Sequence, residues 1–422
     1  MKTIVIAAAL ALPAAPLFAQ DYDPAAVVDA TADAVEEYFY DAERGSEIAS
    51  EVRAYARANA AQIAAADAFA LAEMLTGLLS PFDGHFGVTY RPSSPATDAD
   101  EATPPQGYGY MEELGRRGGG FSAVEILPGN IGLVTMDGFA TIDFDDPADP
   151  VKASADAVLG YVGQADAVIV DLRDNGGGAP HMVGYMTSAF VPHGSDVYNT
   201  FLSREGMESE APGVEFSAPM TDTPLYMLIS PRTGSAAESL AYTLQATGRG
   251  TVIGQASAGA ANPGGGTDLG QGFELFVSTG SPRNPFTGTN WEGDGVQPDV
   301  VTTAGDELRT AQLLAYDAVE DSIPEAHRID LEWMRETLTA MATGEGHYAG
   351  IYGDIVVTCD TDGLALQIDE RHPVRLLPVA TDLFARADWP LERFRFLRGA
   401  DGAVTGIERS QANGWVRRYM AQ

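Results

Sequence analysis

The sequence predicts an α/β protein flanked by a helical N-terminal domain and a small antiparallel β domain at the C-terminal end. Three observations carry that expectation. From Phe121 onward, short apolar runs alternate with segments of helical period, the pattern of a largely parallel sheet covered by helices. Asp23 to Leu79 is alanine-rich, with apolar residues recurring at helical spacing. Near the end, Asp362-Gly363, Asp401-Gly402 and Asn413-Gly414 separate β-type runs, as hairpin turns do.

Residues 1–19 read as a signal peptide: Lys2, an apolar run from Ile4 to Leu12, then the small-residue end Leu17-Phe18-Ala19. Export to the periplasm or the medium is therefore expected. In 20–90, Val28, Ala32, Val35 and Phe39 share one helix face and Leu71, Leu75, Leu78 and Leu79 another, which predicts a helical domain. It ends at Ser80-Pro81-Phe82-Asp83-Gly84-His85, where turn residues give way to a β-type run. Residues 91–120 are a linker or loop, proline-rich and acidic between Pro92 and Gln106.

The core is expected over 121–320. Strands are predicted at Phe121 to Leu127, Ile131 to Met136, Ala167 to Leu172, Pro224 to Ser230, Thr251 to Ile253 and Phe273 to Val277. Helices are predicted at Pro150 to Val162, at His181 to Phe190, after Ser235, and from about Glu307 to Val319. A helical connector over 321–343 leads to the small β domain, 344–422.

Composition narrows the partners. The chain has 422 residues, of which 45% are apolar, so a packed core is within reach. A net charge of −35 argues against nucleic acid and anionic membranes. Beyond the N-terminal stretch, no segment is apolar and long enough to span a bilayer. Cys359 is the single cysteine, so no internal disulfide forms, and nothing beside it supplies a base. Neither a metal nor an organic cofactor is implied, and oligomeric state is not readable.

Two places carry candidate chemistry. Ser235 stands where the strand ending at Ser230 turns into a helix, beside N–H groups that have no intrahelical acceptor. A hydroxyl there suits a nucleophile; equally, Ser235-x-x-Glu238 is a capping box that any helix could use. The glycine run Arg173-Asp174-Asn175-Gly176-Gly177-Gly178 falls at the same sheet edge, either as a tight turn or as a second source of oxyanion donors. It fits neither a dinucleotide fingerprint nor a phosphate-binding loop.

A serine also needs a base. Of the six histidines, His181 and His193 flank the helix after the glycine run, His327 lies in the connector, and His347 and His372 lie in the β domain. His85 differs, lying in an Asp-Gly-His turn between the helical domain and the sheet. Glu292, on a glycine-bounded loop, is a candidate to orient the imidazole.

Four ordered segments resemble the tail-specific, or C-terminal processing, serine peptidase family: Ala167 to Gly178, Thr233 to Glu238, Gly254 to Ala260, and Glu292 to Asp299. The likeness spans roughly Asp23 to Glu320 and, at Val124 to Gly132, is most similar to the branch of the tricorn core and the interphotoreceptor retinoid-binding protein repeats. It implies a crotonase-like core and a protein or peptide substrate. Lysine-dependent members carry their base in a Gly-Lys-Gly segment; the matching position here is Ala260, and Lys152 is the only lysine beyond the signal peptide.

The resemblance to tricorn-like members implies instead Ser235 as nucleophile, His85 as base, Glu292 as its orienting carboxylate, and Gly176, Gly177 and Ala236 as oxyanion-hole residues. Two departures stand out. Gly84 occupies the place of a serine that helps link histidine to glutamate, and the interval from Tyr90 to Phe121 has no room for a PDZ domain. A binding protein for apolar ligands, or an esterase or amidase using the same residues, is the alternative reading.

Overall fold

The structure, a computed structural model, describes residues 22–92, 109–341 and 347–422. The signal-peptide reading of residues 1–19 and most of the proposed loop lie outside the described residues. The described residues form two compact units, one of 22–92 with 264–280 and one of 109–263 with 281–341 and 347–422.

In the first unit, helices Pro24–Tyr38, Ala42–Ala58, Ala60–Ala65 and Ala68–Leu79 pack with a three-stranded sheet. Asp23, Asp41 and Asp67 cap three of these helices, each side chain accepting from first-turn N–H groups that the helix leaves open. The sheet has Phe273–Ser278 at its centre, antiparallel to Gly87–Tyr90 on one side and to Gly264–Gly270 on the other. Here the structure corrects one expectation: Phe273 to Val277, read as a core strand, buries Phe273, Leu275 and Val277 against the N-terminal helices. An alternating apolar run satisfies any half-buried sheet, so its sequence does not name its partner.

The second unit is a mixed α/β body. Its main sheet runs Val300–Val301, Thr251–Gly254, Leu225–Ile229, Ala167–Asp171, Ile131–Met136, Phe121–Leu127, parallel throughout except at the last, antiparallel edge. The central strands are buried on both faces, which is why they read as unbroken apolar runs. Val168, Val170, Met227 and Ile229 face the helices Pro150–Val162, Pro180–Ser188 and Ala236–Ala246. Ala167, Ile169, Tyr226 and Leu228 face Glu307–Val319 and Arg328–Thr339. Because the strands are parallel, the loops after Asp171, Ile229 and Gly254 all emerge at one edge.

Eight antiparallel strands from Gly350–Tyr352 to Val416–Met420 pair in chain order, and Gln422 N–H donates to Ile351 O at 3.0 Å, so the last strand returns to the first. Each of the three turns read from the sequence joins paired strands, with Gly363, Gly402 and Gly414 at positive φ. Among the described residues, no helix is long and apolar enough to cross a membrane.

Candidate active site

Ser235 precedes the helix Ala236–Ala246 with φ 52° and ψ −119°, a backbone state that a residue with a side chain adopts only at a cost of about 1–3 kcal/mol. It is exposed. Ser235 and Glu238 stand in the capping-box arrangement, but the arm that closes as a hydrogen bond is the glutamate's. Ser235 N–H donates to Glu238 Oε2 at 2.7 Å, while the serine hydroxyl makes no cap hydrogen bond.

The turn leading to Ser235 is stitched to the strand end that begins the glycine loop. Thr233 Oγ1 donates to Leu172 O at 2.7 Å, Ser230 Oγ to Arg173 O at 2.5 Å, and Gly234 N–H to Asn175 O at 3.0 Å. Arg173 in turn bridges Asp171 at 2.6 Å and the buried Glu307 at 3.1 Å. Neighbouring parallel strands thus deliver the two loops to one place and side chains lock them there.

Gly177 is the closest approach. A Cβ there would stand 2.7 Å from Ser235 Cβ and 3.0 Å from Ala236 N, and its φ is +112°, so only glycine fits. Its N–H, however, donates to Asn175 Oδ1 at 2.9 Å. Among the described residues, the N–H groups of Gly176 and Ala236 meet no protein acceptor. Of the backbone donors around the serine, Ser235 and Gly177 are therefore engaged, and Gly176 and Ala236 remain open.

Glu238 is fully buried and holds a third loop. Its Oε1 accepts from Ser257 Oγ at 2.5 Å and Gly259 N–H at 2.6 Å, and its Oε2 accepts from Ala260 N–H at 2.9 Å as well as from Ser235. That loop carries Glu292 in its turn, because Glu292 Oε2 accepts from Ala261 and Asn262 N–H at 2.9 and 3.1 Å. Gly259 and Gly295 make the contact close: a Cβ on either would meet backbone within 2.8 Å. Trp291, buried next to Tyr242 of the serine's helix, anchors the other end of the Glu292 segment. Ser235, Ala236, Gly176, Gly177 and Glu292 accordingly share one hydrogen-bonded framework.

His85 belongs to the other unit. Its backbone N–H donates to Asp83 Oδ1 at 2.8 Å, and its ring Nδ1 lies 3.3 Å from the same oxygen, with Phe276 beside the ring at 6.0 Å. A proton on Nδ1 directed at Asp83 leaves Nε2 as the acceptor, the form a general base needs. In the sequence Asp83 stands out only as part of the turn; the signal for it is the aspartate two residues before the histidine, whose carboxylate folds back on that turn. Glu238, read from the sequence as a cap alone, is the other site residue whose reach was missed. Lys152 is committed elsewhere, its Nζ 2.9 Å from Asp156 Oδ2 and 5.1 Å from the Tyr185 ring.

Comparison with known proteins finds a family resemblance for the part of the chain that carries the serine and its loops. Residues 130–302 match the model of peptidase family S41. The match takes in 173 of the 422 residues, among them Ser235, the glycine loop and Glu292.

Among solved structures, a candidate peptidase from Parabacteroides merdae is 17% identical over 72% of this chain and 100% of its own, with a TM-score of 0.50, a likeness of fold. The photosystem II D1 C-terminal processing protease is 23% identical over 41% of this chain, with a TM-score of 0.31, and this chain spans only 42% of its length. The tricorn protease is 17% identical over 50% of this chain and 18% of its own, with a TM-score of 0.29.

Proposed function

We propose that the protein is an exported serine peptidase, with a crotonase-like core behind a helical N-terminal domain, that hydrolyses peptide bonds through Ser235, His85 and Glu292. Ser235 Oγ attacks the scissile carbonyl while His85 Nε2 takes its proton, and His85 returns that proton to the leaving amine. Water then repeats the sequence on the acyl-enzyme. Glu292 helps to orient and stabilise the imidazolium, and the N–H groups of Gly176 and Ala236 receive the oxyanion, with Gly177 shaping the loop that presents them.

One observation carries the reading: an exposed serine held at φ 52° beside two backbone donors that no protein group uses. A serine that merely capped its helix would need neither the strain nor a glycine pressed against its Cβ. The Asp83-supported imidazole of His85 has the chemistry of a base, and the sequence supplies no lysine at position 260 to replace it. Export rests on the N-terminal sequence pattern of residues 1–19.

The deciding experiment is labelling of the protein by a fluorophosphonate, with the modified residue mapped, alongside peptide and ester hydrolysis. Covalent modification of Ser235, and loss of peptide cleavage in Ser235→Ala, are expected. Full cleavage by Ser235→Ala would end the proposal; an unlabelled serine with an apolar ligand bound would favour a binding protein instead.

A further inference from the structure

We infer that Glu238 is a positioning residue for the nucleophile, one carboxylate that clamps Ser235 in its strained backbone state and ties the Ser257–Ala260 loop to the same point. The inference rests on the peptidase reading for its catalytic consequence, though not for the clamp itself. Four donors converge on the two oxygens: Ser235 and Ala260 N–H on Oε2, Ser257 Oγ and Gly259 N–H on Oε1. Together they occupy the acceptor positions of the carboxylate. The side chain is fully buried, so these donors replace the hydration it gives up on folding.

A capping box needs only the bond back to Ser235. The other three bonds reach 19 to 22 residues onward, to the loop that also carries the N–H groups holding Glu292. Glu238 also removes Ser235 N–H from the set of free donors. An oxyanion is thereby directed toward Gly176 and Ala236, which sets the face from which a carbonyl approaches Ser235 Oγ.

The test compares Glu238→Ala, Glu238→Gln and Ser257→Ala with the wild type. Three quantities are read in the full chain: hydrogen exchange of the Ser235 amide by NMR, the fluorophosphonate labelling rate, and kcat and KM on a peptide. Glu238→Ala should speed Ser235 amide exchange and slow labelling and kcat, each by on the order of 10- to 100-fold, with KM nearly unchanged. Core-strand amides should keep their protection. Glu238→Gln retains one acceptor oxygen and should fall between.

Ser257→Ala breaks one of the four bonds to the carboxylate and frees Val296 N–H while leaving Ser235's bond in place, so it should move all three in the same direction as Glu238→Ala but by clearly less. Equal effects of Glu238→Ala and Ser257→Ala, or a Ser235 amide as protected without the carboxylate as with it, would overturn the inference. A wild-type serine that resists labelling while its amide protection depends on Glu238 would sink the peptidase reading and leave the clamp standing.

Discussion

Glu210 should make the stability of the folded chain depend on pH. It is fully buried in the core, its Oε1 accepting from Ser239 Oγ at 2.6 Å and its Oε2 from Asn199 Nδ2 at 2.9 Å. Asn199 also reaches Thr243, and Asn284 donates to Asn199 Oδ1, so every bonded neighbour is neutral. Burial pushes the carboxyl up from 4.5 to about 7, with the Ser239 and Asn199 donors pulling the other way.

That difference corresponds to about 3 kcal/mol. The folded chain binds the proton more tightly than the unfolded one, so the contribution is whole below pH about 4.5 and is lost as pH rises through about 7. Glu210→Gln keeps the shape and cannot titrate. Urea unfolding of both proteins from pH 4.5 to 8.5 should show the wild type losing about 3 kcal/mol relative to the variant across that window. A difference between the two that stays flat with pH would refute the reasoning, because it would mean that Glu210 titrates alike in the folded and unfolded chains.

Other outcomes follow from the geometry around the serine. Gly177→Ala should abolish labelling of Ser235 and cost roughly 2–4 kcal/mol, since its Cβ would collide with Ser235 at positive φ, whereas Gly176→Ala, with nothing within 4 Å of its Cβ, should fold and label normally. Thermal unfolding and labelling rates check both. Arg173→Ala should destabilise by about 3 kcal/mol in urea unfolding, because the mostly buried carboxylates of Asp171 and Glu307 lose their shared partner. Lys152→Met should leave peptide turnover unchanged; a large loss of kcat would revive a lysine base and displace His85.

The secondary elements of the sheet body, the hairpins of the C-terminal strands, and the two loops at the strands' carboxyl edge are legible along the chain. Those are written locally, as apolar period, turn residues and glycine runs, and Ser235 was legible because strand, turn and helix meet within a dozen residues. Which groups are spoken for emerges only once the chain is folded. Gly177 N–H turns inward to Asn175, Ser235 N–H goes to Glu238, and Glu238 reaches a loop about twenty residues onward. Phe273–Ser278 pairs with Gly87–Tyr90 across most of the core sequence, and Glu210 finds Ser239 and Asn199 inside it. The physical reason is common to all of these: a hydrogen bond between distant segments depends on where folding carries them, and a donor or acceptor looks the same in the sequence whether or not it will be met.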